Sequence, residues 1–422
     1  MSGVRKVLAD IVNKSTLRAL KHRNFLIVET AGWFSSGGVW FYRIGIQVLT
    51  WELTHSGLWL GIIAIAEAGP GILLSPIAGA YVDRYDRLQM ARIVQFAIMA
   101  VTALLAFATF AGWVDIYVLL VLAAAHGAAA GFWTPVRLAM VPNLVPKHDL
   151  TSAIALHATM FNLARFLFPA LAAPVLAIWG AGMAFAFNAA GYLIYLVALF
   201  FVVLVNPDKR AGRGAGMLAD LKEGVAYATS HVPIKQLFLM LIFIAVFLRA
   251  YMELLPGISD TMFSRGADGV AILVSAAGFG AMVGSLAVGN ITRRQTLLRT
   301  YFASVLIAVL ALVLFASTNI FWIGVAAAAI LSCAQMGTSI TAQVVVQSSV
   351  EGHLRGRVMS LWGVINRSGP ALGALLLGWI AVHLGFPIPI LLAAALTAGV
   401  GITVFAQRRA MRAALEQQSQ KL

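Results

Sequence analysis

The sequence predicts an all-α integral membrane protein, with twelve transmembrane helices in two pseudo-symmetric six-helix bundles. Three observations carry this. The 422 residues are 61% hydrophobic and only 11% charged, with a mean hydropathy of +0.89. Soluble domains carry about 25% charged residues, and a surface with less than half of that exposes apolar patches beyond what a soluble monomer tolerates. Apolar runs of the roughly 20 residues needed to cross hydrocarbon follow one another along the chain, and Lys and Arg fall almost wholly on one side of them.

The first run, 24–51, follows a mixed basic stretch, 1–23, whose Arg5, Lys6, Lys14, Arg18, Lys21 and Arg23 leave no apolar core for a cleavable leader. The second, 56–82, ends in a charged turn holding Asp83, Arg84, Asp86 and Arg87, which marks a membrane surface because such residues are costly in hydrocarbon. Runs 88–111 and 114–138 meet near Gly112, and 150–178 and 181–205 meet at Gly180-Ala181-Gly182. A polar linker, 206–234, precedes runs 235–262, 269–291, 296–316, 320–346, 355–381 and 386–408, with a tight turn at Ser317-Thr318-Asn319. The expected division is therefore an N-terminal segment 1–23, a bundle 24–205, the linker 206–234, a second bundle 235–408 and a tail 409–422. Within the linker, Met217–Ser230 carries Leu218, Leu221, Val225 and Ala228 at helical spacing, the pattern of an amphipathic helix on the inner membrane surface.

With the N-terminus inside, 25 of the 30 basic residues lie on inner segments and one, Arg265, on an outer loop. This bias places both termini in the cytoplasm, in a bacterial-type inner membrane. The net charge of +14 is then a feature of the inner leaflet and not a nucleic-acid surface. The single cysteine, Cys333, excludes an internal disulfide and a Cys-based metal cluster. No cofactor and no metal is expected. The expected partners are a small-molecule solute, protons and the lipid bilayer, met by a monomer.

The two halves echo each other near a separation of 200 residues. Val145-Pro146-Lys147-His148 lies over Val350-Glu351-Gly352-His353, and Pro169-Ala170-Leu171 over Pro370-Ala371-Leu372, preceded by Asn162 and Arg165 in one half and Asn366 and Arg367 in the other. Parallel six-span repeats imply two bundles with a solute site at the midplane between them.

The order Gly79-x-x-x-Asp83-Arg84-x-x-Arg87 resembles the loop between the second and third spans of the major facilitator superfamily of secondary transporters. Thr54-His55-Ser56-Gly57-Leu58-Trp59-Leu60-Gly61, Pro70, Pro135-x-Arg137 with Val141-Pro142 and Val145-Pro146, and Arg355-Gly356-Arg357-Val358-Met359-Ser360 are similar to the branch containing enterobactin and macrolide exporters. The family's antiporter signature appears with alanines in place of glycines at Arg165–Ala173, and in closer form at Ser368-Gly369-Pro370-Ala371-Leu372-Gly373. The second-half counterpart of the charged turn, Gly289-Asn290-Ile291-Thr292-Arg293-Arg294, lacks the aspartate. The resemblance implies a conformational latch built from Gly79, Asp83, Arg84 and Arg87, with Asp83 docking at the start of the span that carries Arg355 and Arg357. A carboxylate on a helix N-terminus gains roughly 0.3–1 kcal/mol when exposed. The alternative is a solvated turn, which accounts for the arginines but not for the aspartate between them.

Ionisable groups at membrane depth are functional candidates. Glu67 and His126 lie near the middles of their spans and Glu29 near an inner end; all three are candidates for proton coupling. Glu67 has no cation within one helical turn, whereas Glu29 is placed to reach the inner interface and His126 to act as a packing hydrogen-bonder. Arg43, Arg165, Arg249 and Arg367 suit an anionic cargo, because a guanidinium stays charged and matches carboxylate or phosphate. Arg249 and Glu253, four apart, share one face of a regular helix and neutralise each other there, while Arg165 and Arg367 serve equally well to tie down polar groups of their own halves. Trp33, Phe34 and Trp40, with Asn162, Gln335 and Asn366, complete the substrate-binding candidates.

No Walker loop, zinc spacing or nucleophile motif is visible, so no enzyme is expected. The function expected is proton-coupled efflux of an amphipathic or anionic organic solute, drug- or siderophore-like, by alternating access. The alternatives are proton-coupled uptake or lysophospholipid flipping of an anionic solute, and, from another class, a transport-inactive membrane sensor or scaffold.

Overall fold

The computed structural model describes residues 18–82, 85–140, 143–203, 217–288, 294–350 and 352–412, and these are helices joined by short turns, with no strand among them. The first half is built from α1 (Arg23–Thr54), α2 (Gly57–Val82), α3 (Arg87–Phe110), α4 (Ile116–Met140) and α5 (Leu150–Phe200). Gly180, at φ 72°, bends α5 into two crossings where the glycines of the sequence predict a turn. A linker helix, α6 (Met217–Ser230), precedes α7 (Val232–Phe243), α8 (Leu255–Phe263), α9 (Ala267–Val288), α10 (Arg294–Ser317), α11 (Phe321–Ser349), α12 (Gly352–Leu384) and α13 (Pro387–Ala406). Asp86 caps α3 by accepting the Gln89 amide at 2.7 Å.

Ten stretches of the described residues are long and apolar enough to cross a membrane. α1 and α12 fall outside that set for a legible reason. Arg23, Glu29, Arg43, Gln47 and Glu52 interrupt the one, and Arg355, Arg357, Asn366 and Arg367 the other.

The chain divides by contact into two units, Met1–Ile46 with Gly69–Arg213, and Gln47–Ala68 with Gly214–Leu422. In the first, α3 packs on α4 and α5 around a core that includes Phe25, Val94, Met140 and Leu199. A short turn, Arg18–Lys21, is held against the start of α5: His22 Nε2 donates to Asp149 Oδ2 at 2.8 Å and the Ala19 amide donates to Ser152 Oγ at 3.1 Å.

In the second unit, α9 and α10 pack on α11, and α12 lies against α6 and the region after α7. The turn between α1 and α2 belongs to this unit as well. Gly57 and Gly378 bring the α2 and α12 backbones together so closely that a Cβ on Gly378 would overlap the Gly57 carbonyl. Trp51 Nε1 donates to Asp260 Oδ2 at 2.9 Å. α6 has the bounds its sequence pattern gives, but it packs through Tyr227 and Ala228 while Val225 stays exposed. The Glu223–Arg357 ion pair, at 2.6 Å, fixes it to α12. Leu218 and Leu221 lie outside the described side chains.

Candidate functional site

Within the first unit, Glu29 on the second turn of α1 does not reach outwards. It turns onto His157 of α5, whose Nδ1 lies 3.0 Å from Oε2 and 3.2 Å from Oε1. The Glu29 side chain is 12% exposed. Both residues line a cavity of about 30 Å³ together with Ser35, Ser36, Arg137 and Tyr195. Gly32, one turn beyond Glu29, lets Tyr195 lie against α1, since a Cβ there would stand 3.2 Å from Tyr195 Cε2. Trp133 meets Tyr195 edge-on at 5.2 Å and closes the wall. A water needs roughly 10–15 Å³ of such space, so the cavity has room for one or two waters and none for an organic solute. Its lining includes a carboxylate, an imidazole and a guanidinium.

The second unit treats its charges differently. The segment after α7 leaves the α-helix: a π turn, Ile244–Leu248, is followed by Arg249 and a 3-10 turn, Ala250–Met252. Pro256, in the first turn of α8, explains the restart, because a proline has no amide proton and disfavours helix in the residues before it. Arg249 and Glu253 therefore do not sit on one face of a regular helix. Arg249 Nη1 donates to Asn366 Oδ1 at 2.7 Å, and Glu253 Oε2 accepts from Gln47 Nε2 at 2.6 Å. Gln335 Nε2 donates to the Leu248 carbonyl, 2.9 Å away, at the end of the π turn. Gly369 and Gly373 let α12 approach this break. A Cβ on Gly369 would stand 2.5 Å from Ala245 Cβ, and one on Gly373 would overlap the Val246 carbonyl oxygen. The glycine-proline signature of α12 is thus the seat for the irregular segment. π turns and interrupted helices of this kind recur at binding sites.

The remaining candidates fall as follows. His126 is buried in an aromatic stack, 4.0 Å from the Tyr42 ring centroid. Glu67 is half-buried on α2. Trp33 packs edge-on against Phe168 at 4.9 Å and against Phe34 at 5.6 Å, and Phe34 is largely exposed. Arg43 lies over Trp40, 6.0 Å from its centroid. Arg367 is exposed on α12. In the latch, Gly79 lies near the end of α2 and Arg87 begins α3. Arg355 Nη2 donates to the Val350 carbonyl at 3.5 Å, and Arg357 is bridged to Glu223. Asp83 and Arg84, the second-half turn Gly289–Arg293, and the side chains of Asn162 and Arg165 lie outside the described residues.

His157, Arg137 and Tyr195 are absent from the sequence-derived candidates. One signal points to His157: it lies about as far into its run as Glu29 does into the first, so the two share a depth.

Long apolar helices carrying a few paired charges define a multi-pass membrane protein, and the fold is of the major facilitator type. The family model described as transmembrane secretion effector matches residues 14–422, and the chain belongs to that family. The staphyloferrin A transporter of Staphylococcus aureus is 27% identical over 346 residues, covering 81% of this chain and 85% of that protein. The enterobactin exporter of Escherichia coli is 23% identical over 374 residues, covering 87% of each. Among solved structures, the nucleoside transporter NupG superposes with a TM-score of 0.73 at 14% identity, over 91% of this chain and 99% of that one.

Proposed function

We propose that the protein is a proton-coupled exporter of an amphipathic or anionic organic solute, drug- or siderophore-like, that works by alternating access in a bacterial inner membrane with both termini in the cytoplasm. The observation that carries the proton role is the Glu29–His157 pair in a cavity that admits water but no solute. In this reading the pair alternates between carboxylate with imidazole and a form carrying one more proton. Arg137, a fixed cation, lines the same cavity. Arg249, held by the neutral Asn366 amide, offers an anionic cargo a guanidinium.

The test is flux in proteoliposomes under an imposed pH gradient. Glu29→Gln and His157→Gln are expected to lose gradient-driven efflux by at least about tenfold, roughly 1.4 kcal/mol, while keeping solute exchange in the absence of a gradient. Undiminished gradient-driven flux in Glu29→Gln would end the proton role. Inward flux under the same gradient would replace export by uptake or lipid flipping, and binding without flux would mean a sensor.

A further inference from the structure

The cavity beside Glu29 gathers more polar groups than the Glu29–His157 contact uses. Its lining adds Ser35 and Ser36 of α1, Arg137 of α4 and Tyr195 of the second crossing of α5. Among the described residues, no protein group hydrogen-bonds to either serine hydroxyl, to the Tyr195 hydroxyl or to the Arg137 guanidinium. Tyr195 is the most firmly placed of the four. It is 4% exposed, Trp133 braces its ring edge-on, and Gly32 gives the ring room on α1, since a Cβ there would stand 3.2 Å from Cε2. Arg137 and Glu29 both lie near enough to the Tyr195 hydroxyl for their charges to act on it.

We infer that Tyr195 is a positioning residue for the Glu29–His157 pair, acting through one water that its hydroxyl holds in the cavity against the Glu29 carboxylate. The inference rests on the proton role proposed for that pair. Hydrogen-bond accounting carries it. An ionised carboxylate has about four acceptor sites, and the single Nδ1 of His157 faces only part of them. A buried tyrosine hydroxyl ordinarily finds a partner, yet no protein group supplies one to Tyr195 here. One water between the two meets both needs. The cavity volume of about 30 Å³ exceeds the roughly 10–15 Å³ that a water requires, and a buried water is held by roughly two to four polar partners. The lining offers donors and acceptors together, as a water requires; a small anion would accept from the hydroxyls but would lie beside the Glu29 carboxylate. The ionisable groups on the lining are Glu29 of α1, Arg137 of α4, and His157 and Tyr195 of α5. The water is then the neighbour through which Glu29 exchanges a proton, and the Tyr195 hydroxyl sets where it stands.

The experiment compares the full chain with its Tyr195→Phe, Gly32→Ala and Glu29→Gln variants. Tyr195→Phe keeps the ring and its packing and removes only the hydroxyl. A high-resolution crystallographic map of the wild type is expected to show one water within hydrogen-bond distance of Tyr195 Oη and the Glu29 carboxylate, and the Tyr195→Phe map to lack it. In proteoliposomes, Tyr195→Phe is expected to move the pH midpoint of gradient-driven efflux by about half a unit or more with no change in the unfolding midpoint. Gly32→Ala, which presses on the ring and leaves every polar group in place, moves the pH midpoint as well. A wild-type pH profile in Tyr195→Phe, a wild-type map with no water between the two groups, or an anomalous peak at that position after a bromide soak would each overturn the inference. The two failures are separable. Undiminished driven flux in Glu29→Gln ends the proton role and this inference with it, whereas lost flux in Glu29→Gln beside an unmoved profile in Tyr195→Phe ends this inference alone. Should Gly32→Ala not fold, the map and Tyr195→Phe still decide it.

Discussion

The two contact units hold charge at membrane depth by opposite means. In the first, Glu29 and His157 are in direct contact at 3.0 Å and both line a water-sized cavity. In the second, Arg249 donates to the Asn366 amide oxygen beside a helix break. A pair of titratable groups changes its charge as protons come and go, whereas a guanidinium does not. The difference underlies the proposed roles: the first unit pairs a carboxylate with an imidazole, and the second sets a guanidinium beside an irregular helical segment.

Beyond the loss of driven transport expected for Glu29→Gln, the contrast is sharpened by Arg249→Ala. This substitution should weaken binding of an anionic probe about tenfold, roughly 1.4 kcal/mol, with no change in the pH dependence of flux; calorimetric titration checks the affinity. A pH profile that shifted with Arg249→Ala would erase the distinction between the units. Gly373→Leu should destabilise the second unit by about 1–3 kcal/mol through overpacking against the Val246 carbonyl, read as a lower unfolding midpoint.

A smaller effect is expected at the edge of the first unit. The His22 hydrogen bond holds the Asp149 carboxyl below its ordinary value of 3.8; His148, His22 and Arg18 add to this by their charge, and burial opposes it. A lowered carboxylate contributes fully above its unfolded value and loses that contribution as pH falls through the folded one. Hydrogen-exchange protection of the Ala19 amide should therefore be constant from neutral pH down to about 4 and decline below that, and Asp149→Asn should lower it already at neutral pH. The smallest change is expected for Glu223→Gln on the linker helix. Its bridge to Arg357 is solvent-accessible and worth about 0.2–1 kcal/mol, a barely detectable shift in thermal unfolding.

Most of the helical plan was legible in apolar run length, which is a local property. α2, α3, α10 and α13 begin and end within two residues of the runs read from composition. The partners of the charges were much less so. Glu29 meets a residue 128 positions away and Arg249 one 117 positions away, and sequence spacing carries no information about such meetings. The expectation that Arg249 and Glu253 share a face assumed an uninterrupted helix. Pro256 was the visible warning, since the helix before a proline is strained. Gly369 and Gly373 were recognised as a signature, but their purpose as a seat for the irregular segment depends on which helix lies opposite.

That irregular segment also has a mechanical consequence. A π turn holds one residue more than an α-helix needs, and the 3-10 turn directly after it holds fewer. A shift of that surplus residue by one position along the axis would turn the side chains it passes by about 100°, a turn that parts Arg249 from its present hydrogen bond with Asn366.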